Sequence, residues 1–343
     1  MNTENTEKSS QQSFWSRPWV RILLSLFVGG AGVWFVTREV NLDDVQTALQ
    51  QAHWGYVLLS AGIVIMTVVI KTGRWYLLIN TPNGRVPYKL LLKVLSIGVF
   101  LNTLLPIARL GEISRIYLLD RHARKAQVLG TLVLEKSIEM VMLTLTLVIV
   151  LPLTILPNTI NQPSILLLLA MGMFVTLYAV AYQAPRLFKI GEWLAGYLPE
   201  RLAGWFLRLL ADGLTGLEGL RGRRSALLIL GLSTISTVTS VLTPYLLFLA
   251  FDIPLGIAAA TLINAVVTFG SVPSSAPGNL GVLEFLVIAT LTQLGLDNSG
   301  KALSYALLYH ITTYLPVILL GSIAFTQTDW RPWSLLRQNQ VAN

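Results

Sequence analysis

Cysteine is absent from this chain of 343 residues, which excludes disulfides and thiolate metal sites. Histidine occurs three times, as His53, His122 and His310, with no spacing that would ligate a metal. Charge is scarce as well, at 12% of residues against roughly 25% in soluble domains. No Ser-His-Asp elbow, Walker loop or dinucleotide fingerprint occurs, so no cofactor is expected. The basic, aromatic-interleaved module that nucleic-acid binding requires is missing too, so no nucleic-acid partner is expected.

What fills the space is apolar. Hydrophobic residues make up 54% of the chain and the mean hydropathy is +0.64, the composition of a polytopic integral membrane protein. The formal charge of +8, from 25 basic and 17 acidic residues, then reads as cytoplasmic loops lying beside anionic lipid.

Taken in order, residues 1–16 are polar and read as a disordered cytoplasmic tail. Arg17 and Arg21 precede an apolar run, 22–36, read as an uncleaved first span with its N-terminus inside. Residues 54–79 return inward with Lys71 and Arg74 near the end, placed to snorkel to the headgroups. Residues 128–151 lead outward, 165–182 inward, 226–251 outward and 302–325 inward. Between them, 186–224 alternates aromatic and Leu residues with arginines, as amphipathic helices in the inner headgroup layer do. On this topology Arg38 and Lys301 are the basic residues left outside.

Two stretches do not read as plain spans. From Asn102 to Arg115 the chain places Pro106, Arg109, Gly111, Glu112 and Arg115 where each charge would cost about 2.5–3.5 kcal/mol at a helix centre. Both flanks are basic, so the crossings between them must be even in number. The return leg, 108–120, is about 20 Å long as helix, too short for a core of roughly 30 Å. A hairpin entering from the cytoplasm and turning near 102–106 satisfies both constraints. The second stretch, Ser271 to Gly281, contains Pro277, Gly278, Asn279 and Gly281 and cannot remain an ordinary helix. It is read as a hairpin entered from outside, with two full but broken spans as the alternative.

The expected fold is therefore all-α: a polytopic membrane helix bundle of about six full spans plus two oppositely entering re-entrant or broken-helix hairpins. Paired broken helices point to a substrate site near the midplane, where freed backbone and helix ends can bind headgroup atoms. Arg109, Glu112 and Arg115 stand at i, i+3 positions and can form one ladder. They either hold a lipid phosphate or anchor the hairpin at the interface. Glu284, alone in a charge-free region, needs a partner or a proton; Lys136, Arg109, Arg115 and His310 are the candidates. Glu135 and Glu139 share a helix face, as do His310 and Tyr314.

The pattern Pro106-x-x-Arg109-x-Gly111-Glu112-x-x-Arg115-x-Tyr117, then Leu134-Glu135-Lys136, then Pro277-Gly278-x-x-Gly281-x-x-Glu284 resembles the lysylphosphatidylglycerol synthase transmembrane family. These are flippase-like membrane domains, also found as stand-alone proteins of the YbhN type. The resemblance covers roughly residues 21–325, within a single membrane domain, 17–327, followed by a cytoplasmic tail, 328–343. It implies a lipid-translocating domain and, by position, lipid-headgroup roles for Arg109, Glu112, Arg115, Glu135 and Glu284, with His310 near a position where relatives often carry Arg. Asn279 stands where a second Gly is common. The synthases' soluble aminoacyl-transferase domain is not expected, since 18 residues follow Phe325.

The expected function is an integral translocator of the bacterial inner membrane, with both termini cytoplasmic. It would move a phospholipid, aminoacyl-phospholipid or polyprenyl-linked lipid between leaflets, without catalysis. Expected partners are the lipid substrate and anionic inner-leaflet lipids, with a lipid-modifying enzyme and a second copy in a homodimer as further ones. The rival readings are a membrane-embedded transferase using a lipid-phosphate donor, and a small-solute transporter or scaffold.

Overall fold

The computed structural model of the chain describes residues 42–79, 86–104, 110–150, 223–271 and 276–328. The two tails, the spans expected at 22–36 and 165–182, nearly all of the amphipathic stretch 186–224, and Pro106 and Arg109 lie outside the described residues. Those described fold into helices: α1 (Leu42–Gln51), α2 (Trp54–Leu78), α3 (Tyr88–Leu104), α4 (Leu110–Leu118), α5 (Lys125–Val150), α6 (Arg223–Ala250), α7 (Ile257–Gly270), α8 (Val282–Gln293) and α9 (Ser299–Thr326).

Three of these, α2, α6 and α9, are long and apolar enough to cross a membrane. Helix α5 has 26 residues, about 39 Å, and its charges fall on one stretch of its length. The helices begin or end within a turn of the expected limits. Several start earlier because Lys, Arg and Ser cost nothing in a first turn that lies beyond the apolar layer. Helix α3 starts directly after Pro87, whose carbonyl accepts the amides of Leu90 and Leu91; proline's missing N–H is no loss at a helix start.

Helix α2 runs antiparallel to α6. The His53 amide donates to the Ala250 carbonyl at one end of the bundle, the Thr67 hydroxyl donates to Thr239 midway at 2.9 Å, and Gly73 lies against Leu232 further on. Helix α9 starts at the His53 end, where Ser304 donates to the Val45 carbonyl of α1 at 3.2 Å. Hydroxyls satisfy backbone around Pro244 inside α6: Tyr305 donates to its carbonyl at 2.8 Å and Ser60 to that of Thr243 at 3.3 Å. These bonds tie α2 and α9 to the backbone of α6 beside its proline.

Both interrupted stretches are helix–break–helix. Helices α3 and α4 have 17 and 9 residues, about 26 and 14 Å. Helices α7 and α8 have 14 and 12, about 21 and 18 Å. Neither α7 nor α8 is long enough to cross a core of about 30 Å, which favours the hairpin form over two full spans. The α3–α4 pair starts and ends at one end of the bundle, the α7–α8 pair at the other. Their tips meet: a side chain on Gly278 would stand 3.7 Å from the Thr103 carbonyl.

Two large clusters dominate the core among the described residues, with two small ones beside them. One gathers Leu247, Phe248, Ile263, Leu283, Val287 and Tyr305 from α6 to α9. The other gathers Trp75, Leu78, Leu91, Leu95, Val128 and Leu132 from α2, α3 and α5. Between them lies a cavity lined by charged, polar and apolar side chains.

Candidate functional site

Helices α3 and α4 touch backbone to backbone. A side chain at Gly111 would run into the Gly98 carbonyl and the Asn102 side chain, so only glycine permits this approach. Asn102 Oδ1 accepts the Gly111 amide at 2.8 Å, satisfying one of the orphan donors of α4's first turn. The pairing fixes where α4 presents Glu112 and Arg115.

Arg115 is buried and reaches α5, its Nη2 lying 2.7 Å from Glu135 Oε2. Its guanidinium carbon lies 4.1 Å from the centre of the Trp75 ring, and the Trp75 Nε1 donates to Thr131 at 3.0 Å. One face of α2 supplies two more cations, and α5 itself a third. Arg74, only 1% exposed in its side chain, puts Nη2 at 2.9 Å from Glu139 Oε1 and 3.6 Å from Glu135 Oε1. Lys71 Nζ is 3.0 Å from Glu139 Oε1, and Lys136 Nζ is 3.2 Å from Glu139 Oε2. Glu135 and Glu139 thus act as two pillars, one turn apart on α5, holding α2 and α4 through three cations, Lys71, Arg74 and Arg115, with Lys136 of the same helix beside them.

The network forms one side of a cavity of about 320 Å3. Lys71, Glu112, Arg115, Glu135, Lys136 and Glu139 line that side. Glu112 is also engaged by the protein. The rest of the lining is uncharged and mixed: Thr67, Asn102, Ser240, Thr243, Asn264, Tyr309, Thr313 and Tyr314 bring polar groups, set among the apolar Val64, Val68, Leu95, Val99 and Val317. Counting Arg74 behind the wall, four cations stand against three carboxylates among the described residues, a surplus of one positive charge. Arg74 Nε, Arg115 Nε and the Thr313 hydroxyl have no hydrogen-bond partner among the described residues.

Glu284 and His310 come together at the hairpin tips and are not part of the cavity wall. Glu284 Oε2 accepts the Gly281 amide at 2.7 Å, capping α8, and Oε1 lies 2.6 Å from His310 Nδ1. Of the candidate partners for Glu284 among the described residues, Lys136, Arg115 and His310, it is His310 that meets it; Arg109 lies outside the described residues. The break takes positive φ at Gly278 (59°), Asn279 (56°) and Gly281 (81°). Asn279 fits because asparagine tolerates the left-handed region better than other side chains, and its Nδ2 donates to the Tyr314 hydroxyl at 2.9 Å. The departure from a second glycine is accommodated.

Sequence reasoning singled out Glu112, Arg115, Glu135, Glu284 and His310, and the structure brings the first three to one cavity. It missed the part played by Lys71 and Arg74. Both were expected to snorkel outward; instead Arg74 turns into the bundle, because Glu135 and Glu139 offer it charge that lipid cannot. The signal was available: Lys71, Arg74 and Trp75 share one helix face at i, i+3 and i+4. The partner face was not.

A family model described as Lysylphosphatidylglycerol synthase TM region matches residues 22–321 of this chain. No curated protein matches it.

Proposed function

The chain belongs to the lysylphosphatidylglycerol synthase TM-region family, and from that premise we propose that it is a lipid translocator of the bacterial inner membrane. The observation that carries this reading is the cavity: a headgroup-sized space with charged, neutral polar and apolar walls and, among the described residues, one surplus positive charge, bordered by the two broken segments inside an apolar bundle. One phosphodiester carries the complementary charge. Arginine forks and lysine ammoniums suit its oxygens, while the acyl tails stay in the surrounding bilayer.

In this reading a headgroup entering the cavity competes with Glu139 for Lys136, the most exposed cation of the network at 52%. Arg115 and Arg74 are held by Glu135 and keep their position. The tips of the two hairpins, joined at Thr103 and Gly278, form the partition between the two ends. Glu284 and His310 lock that partition through the Gly281 cap and are where a coupling proton is carried. The basic end, with Lys89, Arg121 and Lys125, faces the cytoplasm.

The test is leaflet exchange of acyl-labelled phospholipids and polyprenyl-phosphate lipids in proteoliposomes, comparing the unaltered protein with Arg115→Gln, Lys136→Gln and Glu284→Gln. Exchange is expected with the unaltered protein and at least tenfold slower with each variant, the effect of about 1.4 kcal/mol. Exchange no faster than in protein-free vesicles for every lipid, or unchanged in all three variants, rejects the reading.

A further inference from the structure

The cavity has two chemically distinct halves, and the carboxylates in it are already spent. Glu135 is taken by Arg115 and Arg74, Glu139 by Arg74, Lys71 and Lys136, and Glu112 is engaged. Glu284, the remaining buried acid among the described residues, is occupied by Gly281 and His310 away from the wall. A cationic group entering here meets no carboxylate free to receive it, and it meets a surplus of positive charge. An anion meets Lys136 and Lys71, each with donors to spare.

Beyond the charged half, set among apolar side chains such as Val64, Val99 and Val317, lie neutral hydroxyls and an amide: Thr67, Ser240, Asn264, Tyr309, Thr313 and Tyr314. Thr67 and Ser240 already donate to backbone carbonyls of their own helices and are left to accept, while Asn264 and Thr313 can donate and accept, so together they pair with neutral hydroxyls. The Thr313 hydroxyl has no protein partner among the described residues and faces the cavity, so it is free to bond a hydroxyl that enters there. The volume of about 320 Å3 equals roughly ten water-sized groups of ~30 Å3. That is the order of one phosphate with a small polyol attached; a lysyl ester on the same group nearly doubles the size.

We propose that the cavity selects a lipid whose headgroup is a single phosphate carrying a neutral, hydroxyl-rich group, and rejects headgroups bearing an ammonium. The inference rests on the reading of this cavity as a lipid-headgroup site. The polyol has two chemical sources, a glycerol or a sugar, and the sequence of contacts is the same for either: phosphate oxygens to Lys71, Lys136 and Arg115, hydroxyls to the α6, α7 and α9 wall.

The test titrates the purified full chain in detergent with phosphatidylglycerol, phosphatidylmethanol, lysyl-phosphatidylglycerol and a glycosyl-phosphoryl polyprenol, reading bound lipid by native mass spectrometry. Phosphatidylmethanol keeps the single charge and lacks the hydroxyls. At least one polyol lipid is expected to bind about tenfold tighter than phosphatidylmethanol, and tighter still than the lysyl form, as one or two recovered hydrogen bonds would give. Glycerol and sugar sources are told apart by which of the two polyol lipids binds tighter. Thr313→Val, which keeps the side-chain shape, is expected to erase most of the margin over phosphatidylmethanol while leaving the margin over the lysyl form.

Equal binding of the lysyl form, no advantage over phosphatidylmethanol, or no binding at all overturns the inference. The vesicle exchange assay separates the two levels. Selective binding without exchange keeps this site assignment and rejects translocation, whereas exchange without polyol preference keeps translocation and rejects the assignment.

Discussion

Arg74 shows how much a single buried charge can commit a fold. Its side chain is 1% exposed and lies between Glu135 and Glu139, so truncation leaves both pillars short of a cation in a dry setting. Breaking such a pair costs about 3–5 kcal/mol. Arg74→Ala is therefore expected to lower the melting temperature in detergent markedly. Lys136→Ala, whose side chain is half exposed, is expected to cost under about 1 kcal/mol and yet to abolish lipid exchange. Equal melting temperatures for the two variants would separate the network from stability. Arg115, Glu135 and Glu284 were legible as unusual residues because lipid gives no reason for a charge. Their partners were not legible, since a sequence fixes the face on which a charge lies and leaves open which helix packs there.

At the scale of the element, the α3–α4 hairpin depends on two small devices. Gly111 allows backbone contact with Gly98, and Asn102 caps the first turn of α4. Gly111→Val is expected to push α4 off α3, separate Arg115 from Glu135 and give protein that fails to assemble or loses headgroup binding. Asn102→Ala removes one cap at a cost of about 1 kcal/mol, so it is expected to fold and melt slightly lower. A Gly111→Val protein that melts like the parent and exchanges lipid normally would dispose of the backbone contact as a requirement. Short arms, proline and glycine made both breaks readable from sequence. The contact between the hairpin tips was not, because Gly278 was readable as a break while nothing in the sequence tied it to Thr103 of the other hairpin.

For the whole molecule, the two hairpins enter from opposite ends. The chain has no cysteine, so single cysteines can be read without background. Lys89→Cys and Arg121→Cys flank the first hairpin and are expected to react with an impermeant thiol reagent from one side of the membrane. Asp252→Cys and Asp297→Cys flank the second and are expected to react from the other side. Labelling of Lys89→Cys and Arg121→Cys from different sides would make α3–α4 a crossing and undo the arrangement.

By itself the sequence determined the helical membrane bundle, the positions of the two breaks and the residues too costly to face lipid. Each of these follows from local physics: helix length against bilayer thickness, proline and glycine against the helix, and charge against hydrocarbon. Only the tertiary structure decided that Arg74 turns inward, that Glu284 pairs with His310 apart from the cavity, and that the cavity's carboxylates are already occupied. The reason is the same in each case. A buried charge is governed by the nearest opposite charge or hydrogen-bond partner, and in this protein the decisive partners come from other helices, placed there by packing rather than by their position along the chain.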